Sequence, residues 1–303
     1  MSSQAVKNKL VLGIDIGGTK IASGLVNSRG QFFNLHKRST PRQSRAQALS
    51  AIYKIIESYP RPKAIGLGIT GRVDHKKGIS VYSAHLPKNW KNVPLKKLIE
   101  DRYNIPTTIN NDAKCFAVAE NIYGAGKKYN NYIAATWGTG VGGAIILNNK
   151  IFSGHTNTAG EIGHFRISQS SDQCRCGQTG HWEALTAGLA LKRMYQELSG
   201  KNLDNKEIIR LWKKGDKKAS QVVLDIASVF GIGLASLANI LNPEAIIVGG
   251  GLATVPGLLT IAKSSFKEHV YTPAIGNIPV IKAGLGEYAN IVGAAYIAGH
   301  KDY

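Results

Sequence analysis

Cysteine is scarce in this chain, and so is acid. Three cysteines, two of them separated by a single residue (Cys174 and Cys176), do not make the framework of a disulfide-stapled secreted domain. Acidic residues number 19 against 38 lysines and arginines, for a net charge of +19. The excess is scattered in pairs such as Lys76-Lys77, Lys96-Lys97, Lys127-Lys128 and Lys213-Lys214, with no basic tail. It reads as a compositional habit that favours anionic nucleotides rather than as a nucleic-acid-binding segment. Long hydrophobic runs are also missing. The nearest, 245–259, is broken by the Gly249-Gly250-Gly251 triplet and by Pro256, short of the ~20 uninterrupted residues that span a bilayer. Met1 to Lys9 is short and polar and carries no signal-peptide pattern. These absences lead us to expect a reduced, cytoplasmic protein with neither a membrane nor a nucleic-acid partner.

What is present is enough for two domains: 303 residues with 43 % apolar content. The chain is organised around Gly13-Ile14-Asp15-Ile16-Gly17-Gly18-Thr19-Lys20. The apolar run Leu10 to Ile14 delivers an acidic residue to the end of a strand, and Gly17-Gly18 allow a turn with no Cβ in the way. A second strand, Ile21 to Val26, closes at Asn27-Ser28-Arg29-Gly30. The hairpin tip gathers backbone N–H groups, a hydroxyl, an ammonium and a carboxylate, which suits a metal-bound polyphosphate and equally an ordinary solvated turn.

A second copy favours phosphate binding. Tyr132 to Thr136 leads into Gly138-Thr139-Gly140-Val141-Gly142-Gly143, continues through Ala144 to Leu147 and turns at Asn148-Asn149. Thr136 lies 121 positions after Asp15 (136 − 15), as Asn148 lies after Asn27 (148 − 27). The chain therefore reads as two related halves that each present a glycine-rich hairpin to a shared cleft. In these residues it resembles the ROK (repressor, open reading frame, kinase) group of sugar kinases, of the actin/hexokinase-like ATPase fold. The resemblance extends from about residue 10 to about residue 298. It implies a two-domain α/β actin-like (ribonuclease H-like) architecture with an interdomain cleft. We expect residues 1–115, completed by a C-terminal helix at about 290–303, to form one domain. Residues 116–289, with a zinc-binding loop at about 161–183, form the other.

The remaining elements follow from periodicity. A strand is expected over 31–40, and a helix from Ser44 to Ser58 buries Ala48, Ile52, Ile55 and Ile56 and ends before Pro60 and Pro62. A buried strand, Ala64 to Thr70, opens into the turn at Gly71-Arg72, a candidate pocket wall. An amphipathic helix covers 93–103. A strand from Thr107 then ends in Asn111-Asp112, with Asp112 placed to cap the helix 113–122 that stops at Gly124. Helices are expected at 185–198 and 217–241 with an exposed, lysine-rich connection between them, then a buried strand from Ala245 to Val248 and a final helix, 291–299.

Asp112 at a strand's carboxyl end is also where a base for a sugar hydroxyl belongs. Its Asn-Asp-Ala-x-x-x-Ala-x-x-Glu setting, Asn111 to Glu120, matches the family's catalytic segment, which implies general-base catalysis by Asp112 beside Asn111. The segment Gly160-Glu161-Ile162-Gly163-His164 precedes Cys174-Arg175-Cys176-Gly177-Gln178-Thr179-Gly180-His181-Trp182-Glu183. Two thiols and two imidazoles in eighteen residues suit a tetrahedral zinc site, although Cys-x-Cys also occurs as plain loop thiols. The family carries a third Cys where this chain has His181. The resemblance implies structural zinc on His164, Cys174, Cys176 and His181. It also implies sugar binding by Gly71, Asn111, Asp112, Glu161, His164 and Glu183. ATP with Mg²⁺ would then lie on Asp15, Gly17, Gly18, Thr19, Lys20, Gly138, Thr139, Gly140, Gly249 and Gly250.

The expected activity is ATP-dependent phosphorylation of a hexose hydroxyl. Glucose ranks first as acceptor, then an N-acetylhexosamine, then fructose. Glucokinases more often carry Asn where His85 stands, and Gly71-Arg72 is similar to N-acetylmannosamine kinases. The alternatives are a polyphosphate donor and a non-catalytic, sugar-responsive regulator. Only about nine residues precede the first strand, against the several dozen of a regulator's DNA-binding segment. Relatives lead us to expect a homodimer or tetramer.

Overall fold

The computed structural model describes residues 10–300. Residues 1–9, the polar N-terminal stretch, and 301–303, the end of the expected C-terminal segment, lie outside the described residues. The described chain divides into two units. One holds the chain up to Lys128, Ile145–Ala159 and the chain from Gly284 onward; the other holds Tyr129–Ala144 and Gly160–Ala283.

In chain order the first unit supplies β1 (Val11–Ile16), β2 (Lys20–Val26), β3 (Phe32–Ser39), helix α1 (Arg45–Glu57), β4 (Ile65–Ile69) and the short strands β5 (Arg72–Asp74), β6 (Ile79–Tyr82) and β7 (Lys91–Val93). Helix α2 (Leu95–Tyr103), β8 (Thr107–Asn111) and helix α3 (Asp112–Tyr123) follow. Its main sheet has the order β3-β2-β1-β4-β8. β1 pairs with β2 antiparallel and with β4 parallel, and β4 pairs with β8 parallel. Leu12, Ile14, Ile16, Ile65, Leu67 and Ile69 fill the core, as expected of strands covered on both faces. Helix α1 starts where expected. Ser44 caps it by accepting from the Gln47 N–H, and Ala48, Ile52, Ile55 and Ile56 form the buried stripe.

The chain continues through β9 (Tyr132–Trp137), β10 (Val141–Leu147), β11 (Lys150–Ile151), α4 (Trp182–Thr186), α5 (Gly188–Ser199), α6 (Asn205–Lys213) and α7 (Lys217–Leu241). Next come β12 (Ala245–Gly249), α8 (Leu258–His269), α9 (Pro273–Gly276), β13 (Val280–Lys282) and the last helix α10 (Ala289–Gly299), which belongs to the first unit. The second sheet has the order β11-β10-β9-β12-β13, with β9, β12 and β13 parallel. The first sheet's plan, a hairpin followed by two parallel strands, is thus repeated. Asp15 sits opposite Gly68 on β4, and Thr136 opposite Gly249 on β12. This duplication is the actin-like α/β fold that the two glycine-rich hairpins pointed to.

Helix α10 packs Ala294 and Ile297 against Cys115 and Val118 of α3, and at three points its backbone also comes into close contact with its own unit. A Cβ at Gly13 would collide with the Ile291 carbonyl, one at Gly66 with the Ala294 carbonyl, and one at Gly293 with the Cys115 carbonyl. Three glycines therefore let the first sheet, α3 and α10 approach closely.

Several expectations need correction. Asn111, not Asp112, caps α3: its Oδ1 accepts from the Ala113 and Lys114 N–H groups, and Asp112 is the first helical residue. Either Asx side chain could cap, and Asn111, still in extended conformation, has the backbone geometry of a cap. The helix expected over 185–198 is two helices, parted at Ala187, whose extended backbone ends α4 and opens α5. The lysine-rich connection contains α6. Asp204 caps it, and Ile208 is buried beneath lysines that masked the apolar side. Finally, Lys217–Leu241 is long and apolar enough to cross a membrane by length and composition, although it holds no long uninterrupted apolar run. More than half of its most apolar 18-residue window is buried inside the protein, where Val222, Val223, Ile226, Phe230 and Leu234 serve the second unit's core.

Candidate functional site

In the first unit, β1 carries Asp15 to the tip of the first hairpin. Gly17 N–H donates to the Lys20 carbonyl at 3.0 Å, and the Thr40 hydroxyl donates to the Gly17 carbonyl at 2.7 Å, so the tip is braced from β3's end. At Gly18 a Cβ would stand only 2.5 Å from His85 Cβ, so this position requires glycine. Lys20 pairs with Glu287, and Lys37 approaches the same carboxylate at 3.4 Å. Burial pushes the Asp15 carboxyl up to about 7, and the nearby Asp112 carboxylate adds to the rise; the Asn290 amide and Lys20 act against it. Asp112 is also raised, by burial first, against the hydrogen bond that its Oδ1 accepts from Ala113 N–H at 2.9 Å. Two carboxylates that share one low-dielectric environment resist ionising together, the arrangement found where a proton must be taken and a cation held.

Asn111 joins this group to the Gly71 turn. Its Nδ2 donates to the Gly71 carbonyl at 3.0 Å while its Oδ1 caps α3. Gly71 has φ +96°, and a Cβ there would strike the Tyr82 carbonyl. The structure thus brings the Asn111-Asp112 pair together with Gly71 and Asp15, from three well-separated stretches of sequence.

In the second unit, the β9–β10 tip and the triglycine turn are neighbours. Gly138 N–H donates to the Gly140 carbonyl at 3.0 Å, and Gly142 N–H to the Thr136 hydroxyl at 3.1 Å. Gly250 has φ +91° and lies against the Trp137 carbonyl with no room for a side chain. Gly249 pairs with Thr136 across the sheet. Thr139, at the tip, stands between two glycines. Glu183 reaches this hairpin, accepting from Val141 N–H at 2.9 Å. Glu161, exposed, precedes the short 3₁₀ segment Ile162–His164, whose His164 N–H donates to the Glu161 carbonyl at 3.1 Å.

His164, Cys174, Cys176 and His181 converge as a set whose donor atoms all lie within 4.8 Å of one another. Cys176 Sγ is 3.2 Å from His181 Nδ1, and Cys174 Sγ is 3.6 Å from His164 Nδ1. Gly177 (φ +96°) and Gly180 (φ +69°) turn the loop back, and the isolated bridges Gln173–Thr179 and Arg166–His181 hold it. Burial pushes the Cys174 thiol up to about 12 and lowers His181, with the His164 ring adding to the latter. Two sulfurs and two imidazole nitrogens at this spacing fit a tetrahedral divalent site, and a third Cys is not required for it.

The model of the ROK family matches residues 11–301. The chain belongs to the ROK family. Among ROK relatives, the glucokinase of Streptomyces coelicolor is 34 % identical, over 97 % of this chain and 98 % of its own length. The N-acetyl-D-glucosamine kinase of Mannheimia succiniciproducens is 30 % identical over 94 % of this chain and 98 % of its own. Among solved structures, the ROK glucokinase of Streptomyces griseus in complex with glucose and AMPPNP superposes with a TM-score of 0.86 at 32 % identity, covering 95 % of this chain and 99 % of its own.

Sequence reasoning overlooked Asn290 and Glu287 in this ROK chain. Both precede or open a helix read only for its packing, and no local pattern marks a side chain that acts on a strand more than 250 positions away. Thr40 likewise gave no signal.

Proposed function

We propose that this ROK-family sugar kinase transfers the γ-phosphoryl group of ATP to the 6-hydroxyl of glucose, with Asp112 as general base. The observation that carries the reading is the Asp112–Asn111–Gly71 arrangement beside Asp15: a carboxylate at the head of α3, raised by burial, with its neighbour hydrogen-bonded to a glycine turn. A base of raised pKa takes a hydroxyl proton more readily than an ordinary carboxylate does. Phosphoryl transfer otherwise asks for alignment and charge compensation more than covalent chemistry.

In this reading Asn111, Gly71, Glu161, His164 and Glu183 bind sugar hydroxyls. Gly17, Gly18, Thr19 and Lys20, with Gly138, Thr139, Gly140, Gly249 and Gly250, approach the nucleotide. Asp15, whose Oδ1 accepts from the Asn290 amide, would hold Mg²⁺, an ion that neutralises phosphate charge. His164, Cys174, Cys176 and His181 would hold zinc, which cross-links the 164–181 loop. The Streptomyces relatives' names favour glucose, and the Mannheimia relative's name makes an N-acetylhexosamine the second acceptor. We take the protein to act in the cytoplasm as a homodimer or tetramer, which light scattering after size exclusion checks.

The test is product identification by ³¹P and ¹³C NMR after incubation with ATP-Mg²⁺ and each of glucose, N-acetylglucosamine, N-acetylmannosamine, mannose and fructose. The reading expects glucose 6-phosphate as the fastest-formed product. Phosphate appearing on another sugar, or only with polyphosphate as donor, would reassign the substrate or the donor.

A further inference from the structure

The sugar role above assigns Glu183 only hydroxyl contacts, yet its carboxylate lies on a backbone. Oε2 accepts from Val141 N–H at 2.9 Å, and a Cβ at Gly140 would collide with the same oxygen. The carboxylate therefore lies against the tip of the β9–β10 hairpin, and Gly140 leaves the space that Oε2 occupies. Its other oxygen, Oε1, is 3.6 Å from Cys174 Sγ, in the Cys/His cluster. Glu183 thus touches both the glycine-rich tip and the metal loop.

The scaffold beneath is fully buried and hydrogen-bonded. Trp182, next to Glu183, and Trp137, next to Gly138, stack on opposite sides of Phe230 from α7, with ring centroids 4.7 Å and 3.9 Å from it. All three rings are fully buried. Trp137 Nε1 donates to the Thr186 carbonyl at 2.7 Å and Trp182 Nε1 to the Val229 carbonyl at 3.0 Å. Gly188 N–H donates to the Gly138 carbonyl at 2.8 Å, so α5 holds the hairpin from its other end. With the stem packed in this stack, Glu183 accepts from the 140–141 peptide at the hairpin tip, while the Thr136 hydroxyl accepts from the next peptide, at Gly142.

We propose that Glu183 is a positioning residue for nucleotide binding: its hydrogen bond to Val141 orients the Gly138–Gly143 tip toward phosphate and ties that orientation to the Cys/His loop. The inference rests on the kinase reading. A charge-assisted bond of this kind is the stronger class of hydrogen bond, and its loss frees the tip to turn its N–H groups away from an anion.

The test measures AMPPNP-Mg²⁺ binding by calorimetry in the absence of sugar, with amide exchange at Val141 followed by NMR. Glu183→Ala is expected to weaken AMPPNP about tenfold, the loss of one such hydrogen bond, and to speed Val141 exchange. Glu183→Gln keeps an acceptor oxygen for Val141 and is expected to stay within about threefold of wild type in AMPPNP affinity. A residue that served sugar alone would leave both readouts unchanged. AMPPNP affinity in a folded Glu183→Ala within twofold of wild type, or unchanged Val141 exchange, overturns the proposal. Failure of the wild-type protein to bind AMPPNP at all would instead remove the kinase reading on which it rests.

Discussion

Asn290 donates its side-chain amide to Asp15 Oδ1 across 3.2 Å, joining the start of the last helix to the end of the first strand over 275 positions of sequence. The bond supports a carboxylate that burial has pushed up to about 7 from an ordinary 3.8. The folded protein therefore keeps the Asp15 proton to higher pH than the unfolded chain does. Stability from this group is highest below about pH 4, declines as pH rises toward 7 and is lowest above it. Asp15→Asn cannot ionise and still offers an oxygen to Asn290. In Mg²⁺-free buffer it is expected to raise the Tm over wild type at pH 8, and by clearly less at pH 5.5. Equal gains at the two pH values would contradict the shift.

The rate should carry the same signature. Asp112 must be ionised to accept a proton, and burial raises its pKa. The acid limb of kcat/KM for the sugar is expected above the ordinary carboxylate range of about 4. A pH profile that stays flat down to pH 4.5 would argue against Asp112 as the base.

Chelation tests the Cys/His set. Removing the metal with a strong chelator, or making Cys176→Ala, is expected to lower the Tm by at least about 5 °C, where 1 kcal/mol corresponds to about 2–4 °C in a domain of this size. Cobalt substitution should give the visible and thiolate charge-transfer bands of a tetrahedral site with two sulfur ligands, and Cys176→Ala should diminish the latter. A spectrum of six-coordinate cobalt would rule the set out.

The aromatic stack is open to a direct stability measurement. Phe230→Ala removes the ring between Trp137 and Trp182, all three fully buried, and is expected to cost about 3–5 kcal/mol in denaturant unfolding. A cost below about 1 kcal/mol would show that the two tryptophans close over the gap and that the stack does not hold the hairpin stem.

Much of this is legible in the amino-acid sequence. The hairpins announced themselves because a glycine-rich tip between apolar strands is a local pattern, and their repetition 121 positions apart revealed the duplicated sheets. The four metal-ligand candidates were legible because cysteine is rare here and the four residues fall within eighteen positions. The cap of α3 is not legible in the sequence, because Asn111 and Asp112 are chemically alike and only backbone geometry separates them. Helix α6 was hidden by lysines on its exposed side, and α7 by the rule of uninterrupted apolar runs, which passes over a core helix containing Ser, Asp and Gly. Asn290, Glu287 and the Glu183–Val141 bond are tertiary contacts with no local pattern.

The most direct test is glucose-dependent ADP release from ATP-Mg²⁺ by wild type and Asp112→Asn side by side, with glucose binding measured on both. The account predicts release by wild type, a fall of about 10²- to 10⁴-fold in the variant, and glucose affinity that remains measurable. Near-normal turnover in the variant would contradict the catalytic role of Asp112, and the absence of sugar-stimulated release from folded, metal-loaded wild type would contradict the assignment of this chain as an ATP-dependent glucose kinase.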